Sequence, residues 1–371
     1  MSGVPLSVLD LVPIPSGRTT ADALRASLDL AGRAEDFGYL RYWVAEHHLN
    51  PGVAGTSPAL VLALVGRATA RLRLGSAAVQ MGHRTALSVV EEFGLLDAWY
   101  PGRIDLGLGR SGAQPPTTGT TRTAAEPGWT ANGLRIPARF PTERLLRSPR
   151  IGLARTLLHQ PNAEPPDYAE QVGTILALLN GTYRSPEGID AHVMPGVAAP
   201  QVWVHGSSGG QSANVAGANG LRFGANYHVS PATVLAAVDG YRAAFRPSAD
   251  LARPYVIVSA DVVVAEDDAT AHRIAAGYGA WVLSIRTGAG AIAYPTPEEA
   301  ATMPWTDDDA ALVADRLETR FVGTPDAVVH GLTRLRDATD ADELLITTIT
   351  HNHADRVRSY ELLAKEWAHT T

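Results

Sequence analysis

Apolar runs of strand length alternate along this chain with segments of helical periodicity, and that alternation admits few architectures other than parallel β/α folds. Leu6–Pro13 reads as a first strand, and Thr19 and Thr20 open a helix that runs to about Phe37, with Leu24, Leu28 and Ala31 on one face and Gly38 as its stop. Leu40–Glu46 reads as the second strand. Ser57-Pro58 is a helix start, with serine placed to cap and proline at the first helical position, and this helix extends to about Ala70. Leu72–Gln80 and Arg103–Arg110 are the third and fourth strands, separated by the helix Ala86–Trp99, which Tyr100-Pro101-Gly102 ends. Glu91 and Glu92 belong to the exposed face of that helix, and Arg103 to a structural ion pair.

The pattern lapses over Ser111–Ala169, a stretch rich in Pro, Thr, Gly and Arg with one weak helical patch near Pro141–Leu158. A structureless connection of that length is unusual inside a compact domain, so residues 111–169 are expected to be an insertion, either a functional lid or partly mobile. Alternation then resumes. Strands are expected at Gln201–His205, Phe223–Tyr227, Tyr255–Ala265 and Glu343–Ile349, and helices at Glu170–Asn180, Gln211–Asn219, Pro231–Phe245, Asp268–Leu283, Pro325–Arg336 and Ala354–Trp367, with a further helical excursion over Pro295–Arg320. About eight strand–helix units ending in a helix favour a closed (β/α)8 barrel, a TIM barrel with an insertion after its fourth strand, spanning 1–371 as a single domain.

Composition removes several functions. There is no cysteine, which excludes disulfides, thiolate catalysis and cysteine metal sites. A net charge of −7 with dispersed arginines argues against nucleic acid, whose phosphates call for a concentrated basic face. No basic leader with an apolar core opens the chain, and no apolar run of about 18 residues occurs, so no membrane partner is expected and the location is read as cytoplasmic.

In a β/α barrel, chemistry collects where strands end. After the second strand stands AEHHLN, placing Glu46, His47 and His48 at that rim. Adjacent histidines on extended chain point opposite ways, so one metal can hardly take both; His351 and His353 follow the last strand as loop residues, and no metal site is expected. GSAAVQMGHR ends the third strand in small residues before His83 and Arg84, which suits a flat ligand packed against backbone. GLGRSG ends the fourth in Arg110 between glycines, and HGSSGGQSA ends the fifth in hydroxyls and glycines before a helix. Both suit a phosphate, as in a nucleotide monophosphate. GLGRSG is no dinucleotide fingerprint, since the third glycine, the helix directly after it and a ribose-binding carboxylate are missing.

In order, AEHH, GSAA, LLDAWYPGRIDLGLGRSG, GSS, VGTPDAVVHGL and ELLITTIT resemble the bacterial luciferase-like flavin monooxygenase family, collinearly over most of the chain, and within it a branch attached to specialised metabolism. The resemblance implies a barrel that binds FMN, reduced FMN in the working enzyme, at its C-terminal rim. Carried over residue by residue, His47 matches the family's catalytic histidine and Arg110 the arginine that holds the FMN phosphate. Ser207, Ser208, Gly209 and Ser212 fall in the phosphate segment, where the luciferase subunit itself has a glutamate. Ala77-Ala78 matches a non-prolyl cis peptide under the flavin ring.

The implied reaction adds dioxygen to reduced flavin and oxidises a small organic substrate through a peroxyflavin, with His47 as acid/base and Glu46 or a backbone group setting its tautomer. The lid is expected to exclude water, helped by Trp281 or Tyr227. Nothing reads as a nicotinamide site, so a separate flavin reductase is the expected supplier of reduced FMN. A homodimer through the helices Ser57–Ala70 and Thr85–Trp99 is expected. Two alternatives stand beside this reading: hydride transfer with a deazaflavin on the same barrel, and a flavin-binding protein without catalysis.

Overall fold

The structure is a computed structural model and describes residues 3–110, 127–141, 148–160, 163–164, 166–191, 193 and 199–369. Eight parallel strands form a closed ring: β1 (Leu6–Asp10), β2 (Arg41–Val44), β3 (Arg73–Ser76), β4 (Ile104–Gly109), β5 (Gln201–Gly206), β6 (Arg222–Asn226), β7 (Val256–Val264) and β8 (Glu343–Thr347). Each pairs with the next, and β8 returns to β1 through Leu6↔Leu344 and Val8↔Ile346, so the sheet has no free edge there. This is the (β/α)8 barrel that the alternation predicts.

Thirteen α-helices are described: α1 (Thr20–Asp36), α2 (Pro58–Val65), α3 (Ala86–Trp99), α4 (Pro149–Leu158), α5 (Tyr168–Leu179), α6 (Gln211–Ala218), α7 (Val234–Ala244), α8 (Asp268–Ile274), α9 (Tyr278–Arg286), α10 (Pro297–Thr302), α11 (Asp307–Glu318), α12 (Pro325–Thr339) and α13 (His353–His369). Thr19 caps α1 through a reciprocal pair with Asp22, whereas Ser57 makes no capping hydrogen bond and α2 relies on Pro58 alone. The long third strand of the sequence reading is two pieces. Val79–Gln80 pairs with β4 beyond a break at Ala77-Ala78, whose peptide bond is cis as the family resemblance implies. The helical stretches expected at 268–283 and 295–320 each divide in two, and Phe321–Gly323, which carries no strand expectation, extends the sheet from β7.

Alternate strand residues separate two cores. Val8, Tyr42, Val44, Leu74, Leu106, Val204 and Ile346 pack outward against the helices. Leu9, Trp43, Trp203, Ile257 and Leu345 fill the barrel interior, and this cluster continues through Tyr278, Trp281, Val282 and Val313 of α9 and α11, which cap the C-terminal rim. At the opposite end the interior is ionic: Arg41 binds Asp105 at 2.8 Å and Glu343 at 3.0 Å, and Trp43 donates its Nε1 proton to Asp105. With one end closed by this network, a ligand site is left at the rim where the strands end. Arg103 forms no ion pair there or elsewhere among the described residues. It donates to the carbonyls of Leu72 and Thr69 and to the Thr69 hydroxyl, because the loop it closes ends in unpaired carbonyls rather than carboxylates. Glu92 is not a bare helix-face residue, since it pairs with Arg84.

Candidate active site

A cleft of about 620 Å³ opens at the C-terminal ends of the strands. It is lined by Glu46, His47 and His48 after β2, Ala77, Ala78 and Gln80 after β3, Gly109 and Arg110 at β4, and Ser207, Ser208, Gln211 and Ser212 after β5. Residues expected at four separate strand ends therefore share one cavity. Gly209 does not. A Cβ there would stand 2.5 Å from the Ala236 carbonyl, so this glycine serves the close approach of its loop to α7.

Glu46 is 3 % exposed and is fully engaged. Its Oε1 accepts from His48 Nε2 at 2.9 Å and from His83 Nε2 at 3.0 Å, and its Oε2 from the Gln80 amide at 2.9 Å. Burial opposes its ionisation, but the hydrogen bonds from His48, His83 and Gln80 outweigh that and hold its carboxyl down at about 2. A carboxylate only accepts, so Nε2 carries the proton in both rings. Glu46 thus orients His48 and His83, not His47, which corrects the expected tautomer partner: along extended chain, neighbouring side chains face opposite ways. The donor atoms of Glu46, His48 and His83 lie within 4.8 Å of one another, a grouping with metal-ligand character that sequence spacing conceals, yet hydrogen bonds among the three account for all of them.

His47 is half-buried. Its Nδ1 is shut off from solvent with no partner among the described residues, which leaves Nε2 as the nitrogen with access to the cleft. Burial, and then the neighbouring His48, push its pKa down to about 4. His205 and His228 line the same cleft and are likewise pushed down to about 4, chiefly by burial. His228 Nδ1 meets Ser259 Oγ at 2.5 Å, while His205 Nε2 has no partner among the described residues. His205 is the next-to-last residue of β5 and His228 stands two residues beyond β6, strand-end positions that are the signal by which a sequence reading can find them.

Arg110 donates to Gln211 Oε1 at 3.2 Å, and Gln211 in turn donates to Asp167, the cap of α5. Gln211, absent from the expected set, so fixes the arginine beside Ser207, Ser208 and Ser212. Asp261 accepts from the Tyr278 hydroxyl and from Arg316 at 3.3 Å on another wall. Arg150, Ile151 and Ala154 of α4 and its cap Ser148 also line the cleft. Trp281 reaches it; Tyr227 does not, its hydroxyl donating to the Arg135 carbonyl at 2.7 Å.

A model of the luciferase-like monooxygenases matches residues 4–128 and 163–342. The chain belongs to the luciferase-like monooxygenase family. This family member is 32% identical over 364 residues to the luciferase-like monooxygenase of Escherichia coli K12, covering 97% of this chain and 96% of the relative. The solved structure of MsnO8, without ligand, superposes with a TM-score of 0.77 at 30% identity over 98% of both chains. Two barrels more distant in sequence share the fold alone. The oxygenating constituent of 3,6-diketocamphane monooxygenase from Pseudomonas putida, solved with FMN, has a TM-score of 0.65 at 18% identity, covering 99% of this chain and 98% of that one. An F420-dependent secondary alcohol dehydrogenase with an F420–acetone adduct has 0.61 at 14%, covering 97% and 98%. No helix among the described residues is long and apolar enough to cross a membrane.

Proposed function

We propose that this protein is a flavin-dependent monooxygenase that uses reduced FMN and dioxygen to oxidise a small organic substrate, with reduced FMN delivered by a separate reductase. The observation that carries the reading is the meeting, in one cleft, of a guanidinium and three serine hydroxyls with His47 and the small residues Ala77, Ala78 and Gly109. This donor set fits FMN. Arg110, Ser207, Ser208 and Ser212 present the charge and hydroxyls that a phosphate monoester needs, and the small residues leave backbone open to a flat ring. When bound, reduced FMN supplies the electrons and the centre at which dioxygen is activated.

The chain's own residues prepare that chemistry. Arg110 and the serines hold the phosphate and so set the position of the ring. His47, neutral at pH 7, holds a proton at the reacting oxygen or takes one from the substrate through Nε2. Helix α4 of the insertion and Trp281 exclude water from the reacting centre. Helices α2 and α3 form the face of a homodimer, for Leu60, Leu64, Leu87, Leu95 and Trp99 are exposed along them.

The test is a titration of purified protein with FMN, anaerobically prepared FMNH₂ and deazaflavin F420, followed by admission of oxygen while uptake is recorded. Binding of FMNH₂ with oxygen consumption supports the monooxygenase. Binding of deazaflavin without oxygen consumption moves the enzyme to hydride transfer, and binding of flavin with neither reaction leaves a carrier.

A further inference from the structure

We propose that Arg150 forms a subsite for a carboxylate on an otherwise apolar substrate. The proposal rests on the reading of the cleft as a small-molecule active site.

The charged side chains of the cleft can be accounted for one by one. Its lining has three guanidiniums, Arg110, Arg150 and Arg316, and two carboxylates, Glu46 and Asp261. Glu46 is taken up by His48, His83 and the Gln80 amide, and Asp261 by Tyr278 and Arg316. Arg110 is tied to Gln211 in the phosphate segment. Arg150 alone has neither a carboxylate partner among the described residues nor a place in that segment. Among the described residues it meets oxygens of neutral groups, the Leu49 carbonyl, Asn50 Oδ1 at 3.0 Å and the His48 carbonyl at 3.5 Å, and all three bonds come from one terminal nitrogen, Nη2. Nη1 and Nε make no hydrogen bond among the described residues. Partial burial lowers its pKa, and no anion among the described residues offsets the effect.

The surroundings reserve room for this cation. Gly290, at φ +82°, lies so close that a Cβ there would stand 2.0 Å from Nη1. Ile151, Ala154, Trp281, Ile285 and Ala291 line the same cleft and supply an apolar wall. A partly buried guanidinium whose described neighbours include no carboxylate can take a planar carboxylate through charge-assisted hydrogen bonds. In a chain of net charge −7, this local excess of positive charge selects for anions. The competing reading makes Arg150 only a latch that holds α4 on the Leu49–Asn50 loop.

The two readings separate by calorimetric titration of wild type, Arg150→Gln and Arg150→Lys, each with and without FMN, using sodium hexanoate and its neutral counterpart hexanamide as probes. Wild type is expected to bind hexanoate about tenfold or more tighter than hexanamide, with the preference weakening as salt rises. The preference disappears in Arg150→Gln and survives in part in Arg150→Lys, while FMN affinity, read from visible absorbance, stays the same in all three. Equal affinity for the two probes in wild type, or no binding of hexanoate, overturns the proposal without recourse to any variant. So does a preference retained in Arg150→Gln, or a loss of FMN affinity there, which would make Arg150 a cofactor residue. Failure of the protein to bind FMN while the hexanoate preference holds would overturn the cofactor reading and leave this subsite standing.

Discussion

His83 Nε2 lies 3.0 Å from Glu46 Oε1, joining the loop after β2 to the loop after β3 across the Ala77-Ala78 segment. With Gln80, whose amide and side chain bind the Glu46 carboxylate and carbonyl at 2.9 and 2.7 Å, this contact sets the spacing of the two loops that bear His47 and the proposed ring seat.

Glu46→Gln turns an acceptor of three hydrogen bonds into a group that must donate to one of them. The expected outcome is a loss of about 1–3 kcal/mol in stability and a weaker FMN affinity, read by urea unfolding and FMN titration. The wild-type carboxyl, ordinarily at 4.5, titrates at about 2 in the folded state. Its stabilising contribution is therefore complete above pH 4.5 and fades as pH falls toward 2; the variant should lack that slope.

Three imidazoles in the cleft, His47, His205 and His228, titrate at about 4 rather than the ordinary 6.5. Between those values the unfolded chain binds protons that the folded chain refuses, so stability falls as pH drops from 6.5 to 4 and changes little from this cause above 6.5. Unfolding measured at pH 5 should take up close to three protons from these groups. Replacing His47 by Asn should reduce the uptake by about one.

The same His47→Asn variant should bind FMN with near wild-type affinity and lose substrate oxidation by about 10²–10⁴-fold, the range for removal of a general acid or base. Single-turnover kinetics with reduced FMN provide the measurement, and unchanged turnover would remove His47 from the mechanism.

Arg110→Gln should weaken FMN by about ten- to a hundredfold and leave riboflavin, which has no phosphate, almost unaffected. Parallel titrations with the two flavins decide it. Equal losses for both would mean that Arg110 shapes the cleft rather than holding a phosphate.

Leu95 and Trp99 are 62% and 74% exposed on α3. Leu95→Asp should convert a dimer into monomers in sedimentation velocity, with little change in monomer stability because the side chain is already in water. A wild-type protein that sediments as a monomer would refute the homodimer outright.

Arg356 reaches Asp10 at 2.6 Å in an interior where Asp10 also accepts from Ser27, Tyr42 and the Val12 amide. Arg356→Met strands that carboxylate among β1, α1 and β2, and about 3–5 kcal/mol of stability should be lost in urea unfolding.

The alternation of strand and helix was legible in the sequence because it follows from periodicity, a property of neighbouring residues that every homologous turn of the chain repeats. The rim motifs were legible for the same reason: AEHH, GSAA, GLGRSG and GSS each lie where a local pattern stops, and the barrel brings strand ends together. What local pattern cannot contain is the direction of a side chain once strands are in register. The loop after β3 brings His83 to Glu46, the capping excursion carries Trp281 and Arg316 over the rim, and α4 brings Arg150 against Leu49. Tertiary packing alone decided that Glu46 would serve His48 and His83, that Gly209 would serve α7, and that three imidazoles would share one cleft. By itself the sequence determined the barrel and the rim on which its chemistry sits; the partners of each charge there depend on distances across the ring, which only the closed structure sets.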